Sequence, residues 1–343
     1  MDASNQTIDA VVIGAGLFGA MAAYHLANNG RRVAVLDAQK TAQGATARAI
    51  GLATPQLTPS ALPSTVRGVD ALTALTIGLN LSPRSCQVMH LATEPAGLDA
   101  LRQQAALIQT DRPRLQWETH SDVLPEGFST GLVAGYSVLF DIAELTHKLL
   151  AHPRITVREN AEVQALEHRG ARILVLAQGY TVQCAALVLA TNAYAGLLSP
   201  YLADAIQIAR GYTWLSRPLG DAPHLEEQVH KTVTMPLMID EGRLVAARGL
   251  DDRLRVSAWR PTSDADADPA DDVQRFLHDR LPDLLDHTQE RCSGMTVVMP
   301  DAMPLVGRLA GDGAVFYALG GGHFGPAWAP IVAERIIEML NEV

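Results

Sequence analysis

The residues Ala10 to Asp37, AVVIGAGLFGAMAAYHLANNGRRVAVLD, constrain the fold more than any other stretch of the chain. The apolar run Ala10 to Ile13 predicts a buried parallel strand. Gly14, Gly16 and Gly19 follow at G-x-G-x-x-G spacing. A helical pattern then runs from Phe18 to Asn28 and closes at Gly30, and a second apolar run, Val33 to Leu36, ends on Asp37. Gly14 permits a tight turn, Gly16 lets backbone approach a pyrophosphate, and Gly19 lets helix and strand pack closely. The start of the helix offers free N–H groups and the positive end of its dipole to phosphate. Asp37 can accept hydrogen bonds from both ribose hydroxyls, which argues against a cofactor carrying a 2′-phosphate. Glycine spacing alone is weak, but strand, turn, helix, strand and acid in this order read as a dinucleotide-binding βαβ unit. The pattern leaves NAD and FAD both open.

The remaining bulk properties exclude several classes. A net charge of −10 with no basic tract disfavours nucleic acid as a partner. The chain has 343 residues, 48% of them hydrophobic, enough for one large domain or two intimately packed ones. No apolar run approaches the roughly 18 residues of a membrane span. The opening residues, MDASNQTID, lack the basic and apolar regions of a secretory signal. Cys86, Cys184 and Cys292 are scattered, with neither metal-ligand spacing nor a disulfide framework, so a reducing, cytoplasmic setting and no metal are expected. The acidic stretch Asp264 to Asp272 reads as a solvated loop and helix start.

Along the chain, Pro55 to Pro63 is rich in Pro, Thr and Ser and marks a crossing between domains. Helical patterns cover Thr65 to Leu81, Gly97 to Gln109, a segment opened by Asp141, and Asp271 to Leu285 with an interruption near Pro282. Strands are predicted over Cys86 to Ala92, Leu132 to Leu139, Ile155 to Glu159 and Ala161 to Leu166. Arg172 to Ala177 and Tyr180 to Cys184 form a hairpin around Gln178-Gly179. Ala185 to Ala195 reads as a buried strand running into a small-residue loop. Ile206 to Ser216, Lys231 to Ile239, Leu244 to Ala247 and Leu254 to Trp259 read as an antiparallel series with one face buried. Ala314 to Leu319 is a core strand, and an amphipathic helix ends the chain. A dinucleotide-binding start, a long excursion and a return of strands imply interleaved domains.

Four blocks in this order resemble the D-amino acid oxidase-like family of FAD-dependent oxidoreductases, which includes glycine oxidase, sarcosine oxidase and D-amino acid dehydrogenases. They are the opening βαβ stretch, GATARAIGLATP, LVLATNAYA, and PDAMPLVGR with ALGGGHFGPAWAP. The resemblance implies an α/β fold: a glutathione-reductase-type FAD-binding Rossmann domain from 1–54, 141–204 and 291–343, interleaved with an α+β mixed-sheet substrate domain from 55–140 and 205–290. It implies that Gly14, Gly16, Leu17, Phe18 and Gly19 lie along the pyrophosphate, that Asp37 holds the adenosine ribose, that Ala45 and Thr46 lie near phosphate and ribityl, and that Ala38 and Arg48 are among the cofactor-binding residues. It also puts Gly51 and Leu52 beside the flavin ring, Val163 on the adenine side, and Thr191 and Asn192 by the cofactor. Gly320, Gly321, Gly322, His323, Phe324 and Gly325 would meet the pyrimidine edge. There the free N–H groups of a glycine turn and the positive end of the last helix, with Pro326 in its first turn, would stabilise the reduced flavin anion. His323 is either a loop histidine bonded to backbone or a titrating group beside flavin or substrate.

One position departs from the resemblance. Many family members carry an Arg, in G-L-R-P, that grips the substrate carboxylate. The aligned residue here is Thr296. Arg248 is the leading replacement, with Arg210 and Arg48 as weaker ones. Tyr212 and Trp214 alternate on a strand and serve either as an aromatic wall or as core packing. Cys292 does not match the family's covalent linkage, so noncovalent FAD is expected. The expected activity is oxidation of the C–N bond of an amine or amino acid by hydride transfer to flavin N5, with His323, Arg248 and Tyr212 as catalytic candidates and O₂ or another acceptor reoxidising the flavin. Two alternatives stand: an FAD-dependent 2-hydroxy-acid dehydrogenase, and a flavin-binding subunit of a larger complex. The oligomeric state has no sequence signal.

Overall fold

A computed structural model describes residues 8–108, 112–119 and 124–342. The opening residues of the chain, and the expected helix end at Gln109, lie outside the described residues. The chain divides into two compact units: Met1–Ala47, Ile142–Gln207 and Val297–Val343 form one, and Arg48–Asp141 with Ile208–Thr296 the other. Among the described residues no helix is long and apolar enough to cross a membrane.

The first unit is built on the predicted βαβ start. Ala10–Ile13 and Val33–Leu36 are fully buried strands joined by the helix Leu17–Asn28. They lie inside a six-stranded sheet in the order Leu305–Arg308, Val315–Leu319, Ala186–Leu189, Ala10–Ile13, Val33–Leu36, Ile155–Arg158. Every pairing is parallel except that of the edge strand Leu305–Arg308. Both faces are covered, which is why these strands read as continuous apolar runs. One face packs Val11, Ile13 and Leu187 against Ile173, Val175 and Val182 of a three-stranded antiparallel sheet. That small sheet contains the expected hairpin, Arg172–Ala177 and Tyr180–Cys184, whose turn has Gly179 at φ +67°. Its third strand is Val163–Arg169, later than the expected Ala161 to Leu166. The opening helix packs against the helices Ile142–Leu150 and Gly325–Asn341.

The second unit is a nine-stranded sheet whose main path runs Thr288–Val298, Gln207–Ser216, Leu254–Pro261, Leu244–Arg248, Leu237–Ile239, Arg84–Leu91, Gly131–Leu139, Leu52–Ala53. Leu52 and Ala53 pair with Leu139 and Val138, so residues expected to close the first set of segments belong to this sheet. Their ladder hydrogen bonds decide the matter over the proline-rich signal a few residues later. One face of the sheet packs Trp214, Val256, Ala246, Leu237 and Met89 against Leu225, Val229, Val273, Phe276 and Leu277. The last five come from the helices Pro223–Thr232 and Pro269–Arg280. The expected strand from Lys231 is therefore corrected: Lys231 ends a helix, and only Leu237–Ile239 is extended. Burying Leu225 and Val229 on one helical face outweighs the short alternation after Lys231. Asp268 caps the helix Pro269–Arg280 by accepting from the Ala270 N–H at 2.9 Å. As expected from Pro282, that helix gives way to a 3₁₀ turn, Pro282–His287.

The strand Arg84–Leu91 alternates between the two faces. Met89 and Leu91 join the helix-covered core, while His90 points the other way, buried, with no hydrogen-bond partner for its Nε2. Burial pushes the His90 pKa down to about 4. The unfolded chain takes up this proton near pH 6.5, the folded chain only near 4, so the unfolded state gains as pH falls through that window. His90→Leu is expected to remove a stability loss of up to ~1.4 kcal/mol per pH unit between those limits, read by denaturant unfolding of both proteins across the window.

Candidate cofactor site

Backbone packs tightly against two glycines of the first unit's turn. Gly14 adopts φ +108°, and a Cβ there would lie 2.5 Å from the carbonyl oxygen of Ala190. A Cβ on Gly19 would collide with the Gly14 carbonyl, so the helix starts as close to the strand end as backbone permits. Gly16 precedes the helix with no side-chain cap, and no acid occupies the first turn. The Leu17 N–H donates to Thr46 Oγ1 at 3.0 Å, which brings Thr46 to the turn as expected. A Cβ on Gly16 would stand 3.1 Å from that hydroxyl. The positive end of the helix is left for an anion.

Asp37 supports this turn directly. Its carboxylate accepts from the Ala15 N–H at 2.6 Å and from the Gln39 N–H at 2.7 Å. Burial raises its pKa, and these two backbone donors oppose the rise. Each carboxylate oxygen keeps a further lone pair for a ribose hydroxyl. Ala38, next in the chain, is exposed. The following loop is held by Glu159, which accepts from the Thr41 N–H at 2.7 Å. Sequence reasoning missed Glu159, because the bond spans 118 positions and no local pattern marks it.

The C-terminal glycine turn meets the first one. The Gly320 N–H donates to Asn192 Oδ1 at 3.3 Å, and a Cβ on Gly321 would stand 2.7 Å from the Phe18 ring. Phe18, Asn192, Gly320 and Gly321 are thus brought together from three distant blocks. Thr191 beside them has a buried hydroxyl with no partner. Gly322–Phe324 forms a 3₁₀ turn leading into the helix Gly325–Asn341, which has Pro326 in its first turn and no acid there. His323 sits in this turn with its Nε2 occluded and unpartnered, and burial pushes its pKa down to about 4. Val163 opens the small antiparallel sheet, half-buried.

The other sequence-selected residues belong to the second unit. The Gly51 carbonyl accepts from the Phe140 N–H at 2.9 Å, and Leu52 follows in the edge strand. Tyr212 and Trp214 both point into the helix-covered core, and the Trp214 Nε1–H donates to Thr288 Oγ1 at 2.9 Å. Core packing, not an aromatic wall, accounts for both. Arg248 lies on the same face, where its Nη2 meets Glu226 Oε1 at 2.7 Å and its Nε meets Asp252 Oδ1 at 2.6 Å. Its guanidinium is already neutralised by two carboxylates. Arg210 donates to the carbonyls of Asp264 and Ala267, each at 2.7 Å. Arg48 stands apart from these, with its guanidinium against Gly294. No cluster of His, Cys, Asp or Glu suited to a metal occurs among the described residues.

The model of the family described as FAD dependent oxidoreductase matches residues 9–339. Glycine oxidase from Geobacillus kaustophilus superposes with a TM-score of 0.79 at 18% identity, covering 98% of this chain and 95% of that one. L-proline dehydrogenase from P. horikoshii gives 0.80 at 17% identity, covering 98% and 94%. L-alpha-glycerophosphate oxidase from Mycoplasma pneumoniae, solved with FAD bound, gives 0.75 at 17% identity, covering 98% and 95%. No curated protein matches the chain significantly. Gly16→Ala places a methyl group in the turn without backbone strain. It is expected to weaken FAD binding by about tenfold or more, with the melting temperature of the apoprotein nearly unchanged; fluorescence titration and thermal unfolding of the apoprotein check both.

Proposed function

The chain belongs to the FAD-dependent oxidoreductase family, and from that premise we propose that it oxidises the C–N bond of a small amine or amino acid. What carries this reading is whole-chain likeness to solved proteins named for acting on glycine and on proline. The fit to FAD has its own support. Two glycine turns converge, two helix N-termini without acids in their first turns face them, and two buried polar atoms, Thr191 Oγ1 and His323 Nε2, lack partners.

FAD, when bound, supplies a two-electron acceptor. The chain's own residues bind and orient it. The turn at Gly14 and Gly16 and the start of the helix Leu17–Asn28 hold the pyrophosphate, with Thr46 at its side. Asp37 receives the ribose hydroxyls. Asn192 fixes the Gly320 turn, whose following helix would stabilise negative charge on the isoalloxazine. Thr191 and His323 offer a hydroxyl and a neutral imidazole, so the site contains no resident cation from His323. Catalysis on this reading rests on positioning and electrostatics rather than on a proton relay. Free Cys86, Cys184 and Cys292 suit a reducing compartment such as the cytoplasm.

Likeness to the glycerophosphate oxidase favours a second reading, oxidation of a hydroxylated substrate. The two separate in one experiment. The FAD-loaded protein is mixed anaerobically with amines, amino acids and hydroxy acids, and the visible flavin band is followed. Bleaching by at least one amine or amino acid, and by no hydroxy acid, is expected. Bleaching by hydroxy acids alone would replace the reading with the second one, and no bleaching by any compound would return the chain to a flavin-binding subunit.

A further inference from the structure

The loop from Asp37 to Thr46 meets the glycine turn at both of its ends: Asp37 accepts from the Ala15 N–H and Thr46 from the Leu17 N–H. Its middle is held from 118 positions away, where Glu159 Oε1 accepts from the Thr41 N–H at 2.7 Å. All of these residues belong to the first unit. We propose that Glu159 is a positioning residue for FAD: by holding Thr41 it sets Asp37 and Thr46 against the glycine turn. Glu159 acts through the loop and not on the cofactor directly. The assignment rests on the roles given above to Asp37 and Thr46, and it stands whichever substrate the flavin oxidises.

The strand Ile155–Arg158 pairs with Val33–Leu36, and its continuation runs along the loop. The Asp37 N–H donates to the Arg158 carbonyl at 3.0 Å, the Ala161 N–H to the Asp37 carbonyl at 2.8 Å, and the Asn160 N–H to the Gln39 carbonyl at 3.2 Å. These bonds join backbone to backbone, so many sequences could make them. Beyond Gln39 the grip passes to a side chain, that of Glu159. Asn160, next to it, takes φ +54°, a left-handed conformation that Asn tolerates. Hydrogen bonds from the Thr41 backbone and hydroxyl hold the Glu159 carboxyl below its usual range, and the charges of Lys40 and His147 act in the same direction. Glu159 is exposed and keeps its charge in water, while the Thr41 that it holds is buried.

The next residue shows what the grip maintains. Ala42 is buried and adopts φ +61°, a conformation that an alanine enters only at a cost. Its N–H donates to the Ala15 carbonyl at 3.1 Å. Ala15 stands between Gly14 and Gly16 and is bonded on both sides, its N–H to Asp37 and its carbonyl to Ala42. A strained residue of this kind persists where its surroundings over-determine it. Glu159 fixes the residue before Ala42, and the glycine turn fixes Ala42 itself. The contacts run from Glu159 through Thr41, Ala42 and Ala15 to Asp37, from a surface carboxylate to the one assigned to the ribose. A surface charge paired with Lys40 would account for an acid at 159 but not for its bond to Thr41.

The test measures binding, not turnover. The full-length apoprotein is titrated with FAD by flavin fluorescence and with ADP by calorimetry, because ADP carries the ribose and pyrophosphate without the flavin. Glu159→Gln loses the charge but keeps an acceptor oxygen, and is expected to bind both ligands within about twofold of wild type. Glu159→Asp keeps the charge but withdraws it by one methylene, and Glu159→Ala removes it. Both are expected to weaken FAD and ADP by a similar factor, about tenfold, while the apoprotein's melting temperature falls by no more than a few degrees. Adding Ala42→Gly to Glu159→Ala should recover part of the loss, since glycine takes the left-handed turn without strain. A merely structural role would lower the melting temperature and leave the affinity of the folded protein unchanged. Wild-type affinities in Glu159→Asp and Glu159→Ala overturn the proposal. So does a Glu159→Gln variant as weak as Glu159→Asp, or a loss of FAD binding with ADP binding intact. The Gln and Asp variants keep the test decisive where Glu159→Ala fails to fold. A wild type that takes up no FAD would overturn the cofactor assignment together with this one, whereas FAD uptake indifferent to residue 159 would overturn this one alone.

Discussion

The first unit depends on the contact between the Cα of Gly19 and the carbonyl of Gly14, with Gly14 itself closed against Ala190. No side chain fits at either glycine. This brings the helix Leu17–Asn28 down onto the ends of two central strands and directs its unsatisfied N–H groups outward from the sheet. Asp37 then ties the turn from the far side through the Ala15 N–H, so one carboxylate both shapes the cradle and remains available to a ribose. The C-terminal turn joins through the Phe18 ring, which occupies the space that Gly321 leaves. Two helix N-termini are thereby organised by close backbone approach, with little help from capping side chains.

The second unit solves a different problem. Its broad sheet buries one face under two amphipathic helices and keeps its charged residues there in pairs. Arg248 and Tyr212 are on that face. The other face of the same strands carries Thr213, Ser257, Gly294 and Thr296, and it receives Arg48. Because neighbours along a strand point to opposite sides, one register separates the carboxylate-paired Arg248 and Arg260 from Arg48.

Much of the first unit was legible locally. The strands Ala10–Ile13 and Val33–Leu36 and the hairpin Arg172–Ala177 with Tyr180–Cys184 match the sequence pattern residue for residue: burial on both faces leaves the two strands continuously apolar, and the Gln178-Gly179 turn marks the hairpin. The glycine blocks were legible because each requirement falls on one residue type. Arg248 misled because its position, just after an apolar strand, says nothing about which face it takes. That is set by pairing with Leu254 and by acids at 226 and 252. The occlusion of His323 Nε2 was not legible for a related reason: it comes from packing, which no neighbour in sequence marks. Lys231 lay in a stretch whose short alternation competed with a helical face, and burial of Leu225 and Val229 decided the outcome.

Every role given to the first unit's residues requires that the converging glycine turns hold FAD and not a nicotinamide dinucleotide. Titration of the refolded apoprotein with FAD, followed by flavin fluorescence with NAD present in large excess, tests it most directly. Saturation at one FAD per chain, with no displacement by NAD, is expected. Saturable NAD binding with no uptake of FAD would contradict it.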